Sequence, residues 1–337
     1  MRGVGKITLS DVARQVGVSA ITVSRALRSP EKVSAALRER IRLAVAELGY
    51  IPDAAARALA SGRTDVIGVL IPSVTNNVFA DVLSGIYAGI EDAPFDVQLG
   101  NTRYSGLQEE SLLRVFLSQK PAGLIVTGID QSEEARALLS TAQCPIVQIM
   151  ETDDRPIDMM IGFSHYAAAG AATAHLVERG YRKLGFLGAR MDPRTQRRFR
   201  GFRDTAEAAG VFSKARVITT PAPSTVTLGS RLFADLVERA PDIDGVFCNN
   251  DDLALGVLFE AQRRRISIPA ELGLCGFNDL EMMATAEPSV TSVRTFRHEM
   301  GQRAVVMLIE AIQADLARSP QVVDLGYEVK ARGSTAR

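Results

Sequence analysis

The chain has no tryptophan, three cysteines, three histidines and zero net charge over 337 residues. Each scarcity excludes something. Cys144, Cys248 and Cys275 have no metal-ligand spacing and lie in or beside apolar runs, so neither a disulfide framework nor a zinc module is expected. No apolar run reaches the ~18 residues of a membrane span. The N-terminal MRGVGKITLSDVARQ lacks the apolar centre of an export signal, so a cytosolic protein is expected. No G-x-G-x-x-G follows the first strand, no Walker loop or G-x-S-x-G elbow occurs, and the histidines have no metal spacing. No enzyme, cofactor or metal is therefore expected, and an α/β fold alone argues no catalysis.

The zero net charge hides an asymmetry. Residues 1–63 carry 11 basic and 5 acidic residues, a net of +6, whereas residues 64–337 carry 28 and 34, a net of −6. A small basic head on a large acidic body points to a polyanion partner for the head.

The head reads as three short helices. Thr8-Leu9-Ser10-Asp11 has the form of a capping box, with Asp in place of Glu. Leu9, Val12, Ala13 and Val16 follow helical spacing, and Gly17 stops the run. Ser19 can cap a second helix from Ala20 to about Leu27, and Ser34 a third that ends at Gly49. Two helices around a glycine turn are helix-turn-helix grammar. The second would lie in the major groove with Ala20 and Ile21 in its first turn. Thr22 and Ser24 offer hydroxyls to phosphates, and Arg25 can grip a guanine edge with two hydrogen bonds. A plain three-helix packing unit is the alternative on these residues alone.

Pro52 opens an alanine-rich stretch over 53–61, too short for a stable free helix. From Val66 onward, short β-branched runs (VIGVLI, VQLGN, GLIVTG, PIVQIM, then KLGFLG, RVITT, GVFCN, LGLCGF) alternate with helical stretches. This predicts two successive α/β units with parallel sheets. A long helix near 296–317 and two short strands near 322–325 and 327–332 follow. Residues 190–200 hold five arginines after the strand KLGFLG. On a helix beginning near Thr195, Arg194 and Arg198 are four apart and share a face, and a helix N-terminus with arginines favours an anion. Arg197 and Arg200 read as solvated. His165 reads equally as a ligand group or a structural histidine, and His175 as structural.

The run from Thr8 through Arg25 resembles the T-L-x-D-V-A-x-x-x-G-V-S-x-x-T-V-S-R signature of the lactose/galactose-repressor family, and Gly49–Pro52 with Ala56–Leu59 resembles that family's hinge. The resemblance covers essentially the whole chain. It implies an all-α helix-turn-helix head (1–50), a hinge helix and linker (51–64), and an α/β two-lobed body of the periplasmic-binding-protein type (65–337). The body would consist of two Rossmann-like parallel-sheet lobes. The first would take about 65–161 plus 294–320, the second about 162–293 plus 321–332.

The resemblance further implies a homodimer on double-stranded, pseudo-palindromic operator DNA. Contacts would come from Thr8, Leu9, Ser19, Ala20, Ile21, Thr22, Ser24, Arg25 and Arg57, with Leu59 wedged into the minor groove. Asp53 stands where the family most often has Asn or Ser. With no leucine heptad after the last strand, dimers rather than tail-linked tetramers are expected. For the effector, the resemblance implies Ser73, Asn77 and Phe79 from the first lobe. From the second it implies Ser164, Asp192, Arg194, Arg198, Asn250 and Asn278, with Asp251 as a helix cap. Ser164 and Asn278 replace usual aspartates, and Ser224 replaces a stacking aromatic. Fewer negative charges around a retained arginine suit an anionic ligand. I-P-S-x-T-N-x-V-F, L-G-A-R-x-D-x-R-T and D-G-V-F-C-x-N-D-D-L-A together look like the gluconate-repressor branch. A repressor released by gluconate, 2-ketogluconate or a related sugar acid is expected. A phosphorylated or neutral sugar, or a corepressor, is the alternative.

Overall fold

The computed structural model describes residues 7–28, 30–51, 62–314 and 320–337. The chain divides into two compact units, Met1–Thr64 and Asp65–Arg337. Asp53, Arg57 and Leu59 of the expected hinge lie outside the described residues.

The first unit contains α1 (Leu9–Val16), α2 (Ala20–Arg28) and α3 (Ala35–Leu48). The Thr8 backbone N–H donates to the Asp11 carboxylate at 2.9 Å, and the Thr8 hydroxyl reaches the same oxygen at 2.6 Å. The shorter aspartate thus plays the part usually taken by glutamate. Gly17 takes φ 73°, a left-handed turn that costs glycine little, and it redirects the chain into α2. Val12, Val16, Val23, Ala26, Ile41 and Ala44 form a small buried core. The expected hydrophobic spacing was therefore enough to place all three helices.

In the second unit, β1 (Val66–Ile71), β2 (Asp96–Asn101), β3 (Gly123–Thr127), β4 (Ile146–Ile149) and β5 (Met159–Gly162) alternate with helices α4 (Asn77–Ile90), α5 (Gly106–Ser118) and α6 (Glu133–Ser140). After α7 (His165–Glu178) the pattern repeats with β6 (Leu184–Ala189), α8 (Pro193–Ala208), β7 (Val217–Thr220), α9 (Val226–Arg239), β8 (Gly245–Cys248), α10 (Asp251–Arg264), β9 (Gly273–Asn278), α11 (Glu281–Thr285), β10 (Thr291–Thr295) and α12 (Arg297–Gln313). The chain ends with β11 (Gln321–Asp324) and β12 (Tyr327–Lys330).

Two six-stranded sheets result, ordered β11-β5-β4-β3-β1-β2 and β12-β10-β9-β8-β6-β7. The pairings are parallel except for β10 with β12. Both faces of the central strands are covered, which is why they read as continuous apolar runs rather than alternating ones.

One expected boundary is corrected. Residues 321–324 were placed with the second lobe, but Gln321↔Met159 through Asp324↔Gly162 add them to the edge of the first sheet. Only 327–330 join the second sheet, antiparallel to β10. Gly326, at φ 66°, makes the turn between the lobes. The chain therefore crosses between lobes after β5, after β10 and at Gly326.

Two glycines set a close helix crossing in the first lobe. A Cβ on Gly85 of α4 would overlap the backbone carbonyl of His298, and one on Gly301 of α12 would overlap that of Val82. Neither helix could approach the other as closely with any larger residue.

In the second lobe, Asp251 is fully buried and does not cap its helix as expected. Asn250 does so, accepting from the Leu253 N–H at 3.1 Å. Asp251 instead accepts from the Ser292 hydroxyl at 2.6 Å and the Leu280 N–H at 2.8 Å, tying the turn after β9 to the sheet. Burial pushes its carboxyl up to about 6, against partial relief from these two bonds. A raised carboxylate makes the fold bind protons more tightly than the unfolded chain. Its burial cost is therefore present above pH 6 and relieved as pH falls toward 4, on the order of 3 kcal/mol. In Asp251→Asn, the share of the pH dependence of urea unfolding between pH 4 and 7 that comes from this group should disappear. An unchanged slope would contradict the assignment.

Candidate functional site

In open parallel α/β sheets, ligands sit beyond the carboxyl ends of the strands. Here the two sets of strand ends face one another across a cleft. Several residues at these ends have positive φ: Tyr104, Met150, Arg190, Met191, Asn278 and Asp279. Such backbone is tolerated where the surroundings hold it, and Tyr104, Met150, Arg190 and Asn278 line the cleft.

Arg198 lies at the bottom of the cleft, 7% exposed. It projects from the second turn of α8. Asp192 caps this helix, accepting from the Thr195 N–H at 2.9 Å, and Pro193 follows in the first turn. The Arg198 guanidinium donates through one terminal nitrogen to the Asn249 carbonyl at 2.5 Å and through Nε to His165 Nδ1 at 3.2 Å. Its face rests on the Phe277 ring at 3.8 Å. Among the described residues no carboxylate pairs with it. Burial lowers it to about 10, with Asp192 pulling the other way, so it stays charged at neutral pH.

Asp192 is also pushed up by burial, but the Arg194 guanidinium at 2.9 Å overcomes this and holds it down at about 2. Around Arg198, a cavity of about 50 Å³ is lined by three arginines (Arg190, Arg194, Arg198) and one carboxylate (Asp192), with Phe79, Tyr104, Asn250 and Asn278. The Asn278 side-chain oxygen is buried and has no hydrogen-bond partner among the described residues. Arg190 stacks on Tyr104 at 3.9 Å from the other lobe, closing one side. Beyond Arg194 and Asp192 the cleft widens into a cavity of about 220 Å³ that includes Thr102, Glu109, Thr127 and Gln131.

A second cross-lobe contact flanks the cleft. Arg197 grips Asp130 with two hydrogen bonds of 2.7 and 2.6 Å and lies 3.4 Å from the buried Glu151. Arg197 was expected to be solvated; it is instead a tie between lobes, while Arg200 is exposed as expected. A further tie runs through Arg297, which pairs with Asp81 of α4 at 2.9 Å and donates to the backbone carbonyl of Asn278.

The site thus combines a buried cation, oriented amides and hydroxyls, and two lobes joined by three crossovers. It offers no nucleophile–base pair, and no cluster of potential metal ligands occurs among the described residues.

Comparison with known proteins gives this architecture its relatives. Residues 8–53 match the model for bacterial regulatory proteins of the lacI family, and residues 173–335 match a periplasmic binding protein-like domain. The HTH-type transcriptional regulator GntR of Pseudomonas aeruginosa is 41% identical over 334 residues, spanning 99% of this chain and 97% of that protein. The chain belongs to the LacI family. GntR of Escherichia coli K12 is 36% identical over 97% of this chain and 98% of its own. A LacI-family regulator from Silicibacter pomeroyi superposes with a TM-score of 0.91 at 35% identity, covering 98% of this chain and 100% of that one. The chain is a DNA-binding transcriptional regulator of the repressor type, and not an enzyme.

In this LacI-family chain, the described residues expected to read DNA lie on or beside α1 and α2, and Leu9 and Ala20 among them also pack against the head's core. Ile21 is 72% exposed on the first turn of α2, an apolar side chain that the head's core does not use. Arg25 is exposed one turn later, and Ser19, Thr22 and Ser24 lie on or beside the same helix. Ser19 caps α2 through the Thr22 N–H at 3.1 Å. Thr8 and Leu9 open α1, and Ala20 is half-buried at the start of α2.

Of the expected effector residues, Phe79, Asp192, Arg194, Arg198, Asn250 and Asn278 line the small cavity together. Three do not. Ser73 bonds to Thr75 in the loop after β1. Asn77 is the first residue of α4, where its neighbour Asn76 caps the helix and lines the cavity. Ser164 caps α7 through the Ala167 N–H. Tyr104, Asn76 and Asn249 were missed. Asn249 clamps β6 to α8 by bonding Ala189 and Thr195. Its place beside Asn250 after a buried strand was the available signal. His175 is structural as expected, bonding Thr335 at 2.8 Å. Among the described residues, no helix is long and apolar enough to cross a membrane.

Proposed function

We propose that this regulator acts in the cytosol as a homodimer and releases its operator when a sugar acid binds between the lobes. The observation that carries this reading is Arg198. A buried guanidinium whose hydrogen-bond partners are neutral lacks compensation, and a ligand carboxylate would supply it. Asn250 and Asn278 lie where they can bond sugar hydroxyls, and Phe79 offers an apolar face. The likeness to regulators named GntR supports gluconate or 2-ketogluconate as the ligand.

A cavity of about 50 Å³ holds only a few waters. A ligand held at Arg198 therefore extends into the adjoining cavity of about 220 Å³, and its grip by both lobes would change the angle between them. That change is the coupling to the DNA-reading head, and such couplings amount to about 1–3 kcal/mol.

Calorimetric titration with gluconate, 2-ketogluconate and glucose tests the reading. Heat from an acid, none from glucose, and weaker operator binding in its presence are the expected results. Silence from both acids would remove the sugar-acid assignment, and tighter operator binding would reverse its sign. A response to sugar phosphates alone would assign the arginine to a phosphate instead.

A further inference from the structure

We infer that His165 is the charge selector of the cleft: it gives Arg198 a neutral acceptor where a carboxylate would fit, and so reserves the guanidinium's charge for an anionic ligand. The inference deepens the proposed function and rests on Arg198 being the anion site.

The geometry specifies the imidazole's protons. His165 is fully buried at the start of α7. Its Nε2 lies 2.8 Å from the Met150 carbonyl, which can only accept, so Nε2 carries the hydrogen. Nδ1 is then a bare lone pair, and it accepts from Arg198 Nε at 3.2 Å. Phe163 packs edge-on at 4.4 Å and Phe277 lies at 6.0 Å, so no water competes from those sides.

The charged groups around it act in one direction. Arg198, Arg194 and Arg197 all oppose a second positive charge, and burial opposes it more strongly still, so the ring is held neutral well below its ordinary range. Among the described residues, Glu151 is the carboxylate in direct contact. It touches the backbone N–H of His165 at 3.4 Å rather than the ring, and its other oxygen faces Arg197. His165 is therefore a positioning residue. It holds the guanidinium plane over Phe277 without neutralising it. A carboxylate at this position would form a buried ion pair with Arg198 and leave an incoming anion facing a charge of its own sign.

Asparagine and aspartate at position 165 have nearly the same shape and both place an acceptor near the present Nδ1, but they differ by one charge. His165→Asn should keep most of the preference for gluconate over the neutral alditol. His165→Asp should lower that preference by at least about tenfold relative to His165→Asn, as expected for like charges brought together. A purely structural histidine would make the two variants equivalent, and equal losses or equal retention would overturn the proposal.

The second measurement needs no ligand and no variant of His165. Nitrogen-15 spectra of histidine-labelled protein contain three imidazoles, assignable with His175 and His298 variants. The His165 ring should remain the neutral Nε2–H tautomer from pH 8 to below 6. An Nδ1–H tautomer, or a titration near the ordinary value, would overturn the selector role. Silence of the unaltered protein toward both sugar acids would instead defeat the proposed function while the spectra still decide His165.

Discussion

Replacing Arg198 by methionine is expected to weaken sugar-acid binding by two to three orders of magnitude while leaving the ligand-free protein at least as stable as before. The two halves of this result have one cause. The guanidinium is buried, charged and paired only with neutral groups. In the absence of ligand it carries a desolvation cost that a methionine of similar length would not. In the presence of a carboxylate it forms a desolvated charge pair, and removing one member of such a pair costs about 2–5 kcal/mol of affinity. Calorimetry and a thermal melt without ligand measure the two halves separately. A large fall in ligand-free stability would show that the protein itself satisfies Arg198, and the anion argument would lose its basis. Arg198→Lys should not rescue binding, because an ammonium cannot bond Asn249 and His165 in the same plane and still present an edge to the ligand.

The second large effect concerns the helix crossing beneath the cleft. Gly85→Ala or Gly301→Ala is expected to destabilise the body by about 2–3 kcal/mol or more, because the added methyl meets backbone that cannot turn aside. Urea midpoints at constant slope would measure it. The two substitutions press on the same contact, so the double variant should cost less than the sum. A loss below 0.5 kcal/mol, the range of ordinary surface changes, would mean that α4 and α12 separate freely. Phe79, in the first turn of α4, lines the cleft, and Arg297, which opens α12, ties it to the Asn278 carbonyl of the other lobe. Survivors of the substitution should therefore also bind effector more weakly.

The helices of the head and the strands of the body were legible because their signals are local. Apolar spacing, capping residues and β-branched runs depend on near neighbours alone. Arg198 was legible too, because the arginine-rich start of α8 follows a buried strand. What escaped was pairing at a distance. Arg197 differs from Arg198 by one residue, about 100° around the helix, and that rotation exchanges the cleft floor for Asp130, 67 positions earlier in the chain. Ser164 and His165 show the same one-residue sensitivity: the first is a cap, and the second touches the arginine. Tyr104 was missed because its aromatic ring reaches the cleft only through a left-handed backbone that its residue type does not announce. The strand at 321–324 has no mark of which sheet it will join, since a short edge strand satisfies either.

That strand has a consequence for how the protein is made. The first sheet awaits residues emerging after nearly the whole second lobe has been synthesised, and β12, which borders the second sheet, emerges later still. The head, by contrast, draws its core from residues 9–50 only. On a ribosome the DNA-reading helices can be finished while both lobes still lack an edge. A nascent chain would thus complete its DNA-binding head well before it completes the body in which an effector would act.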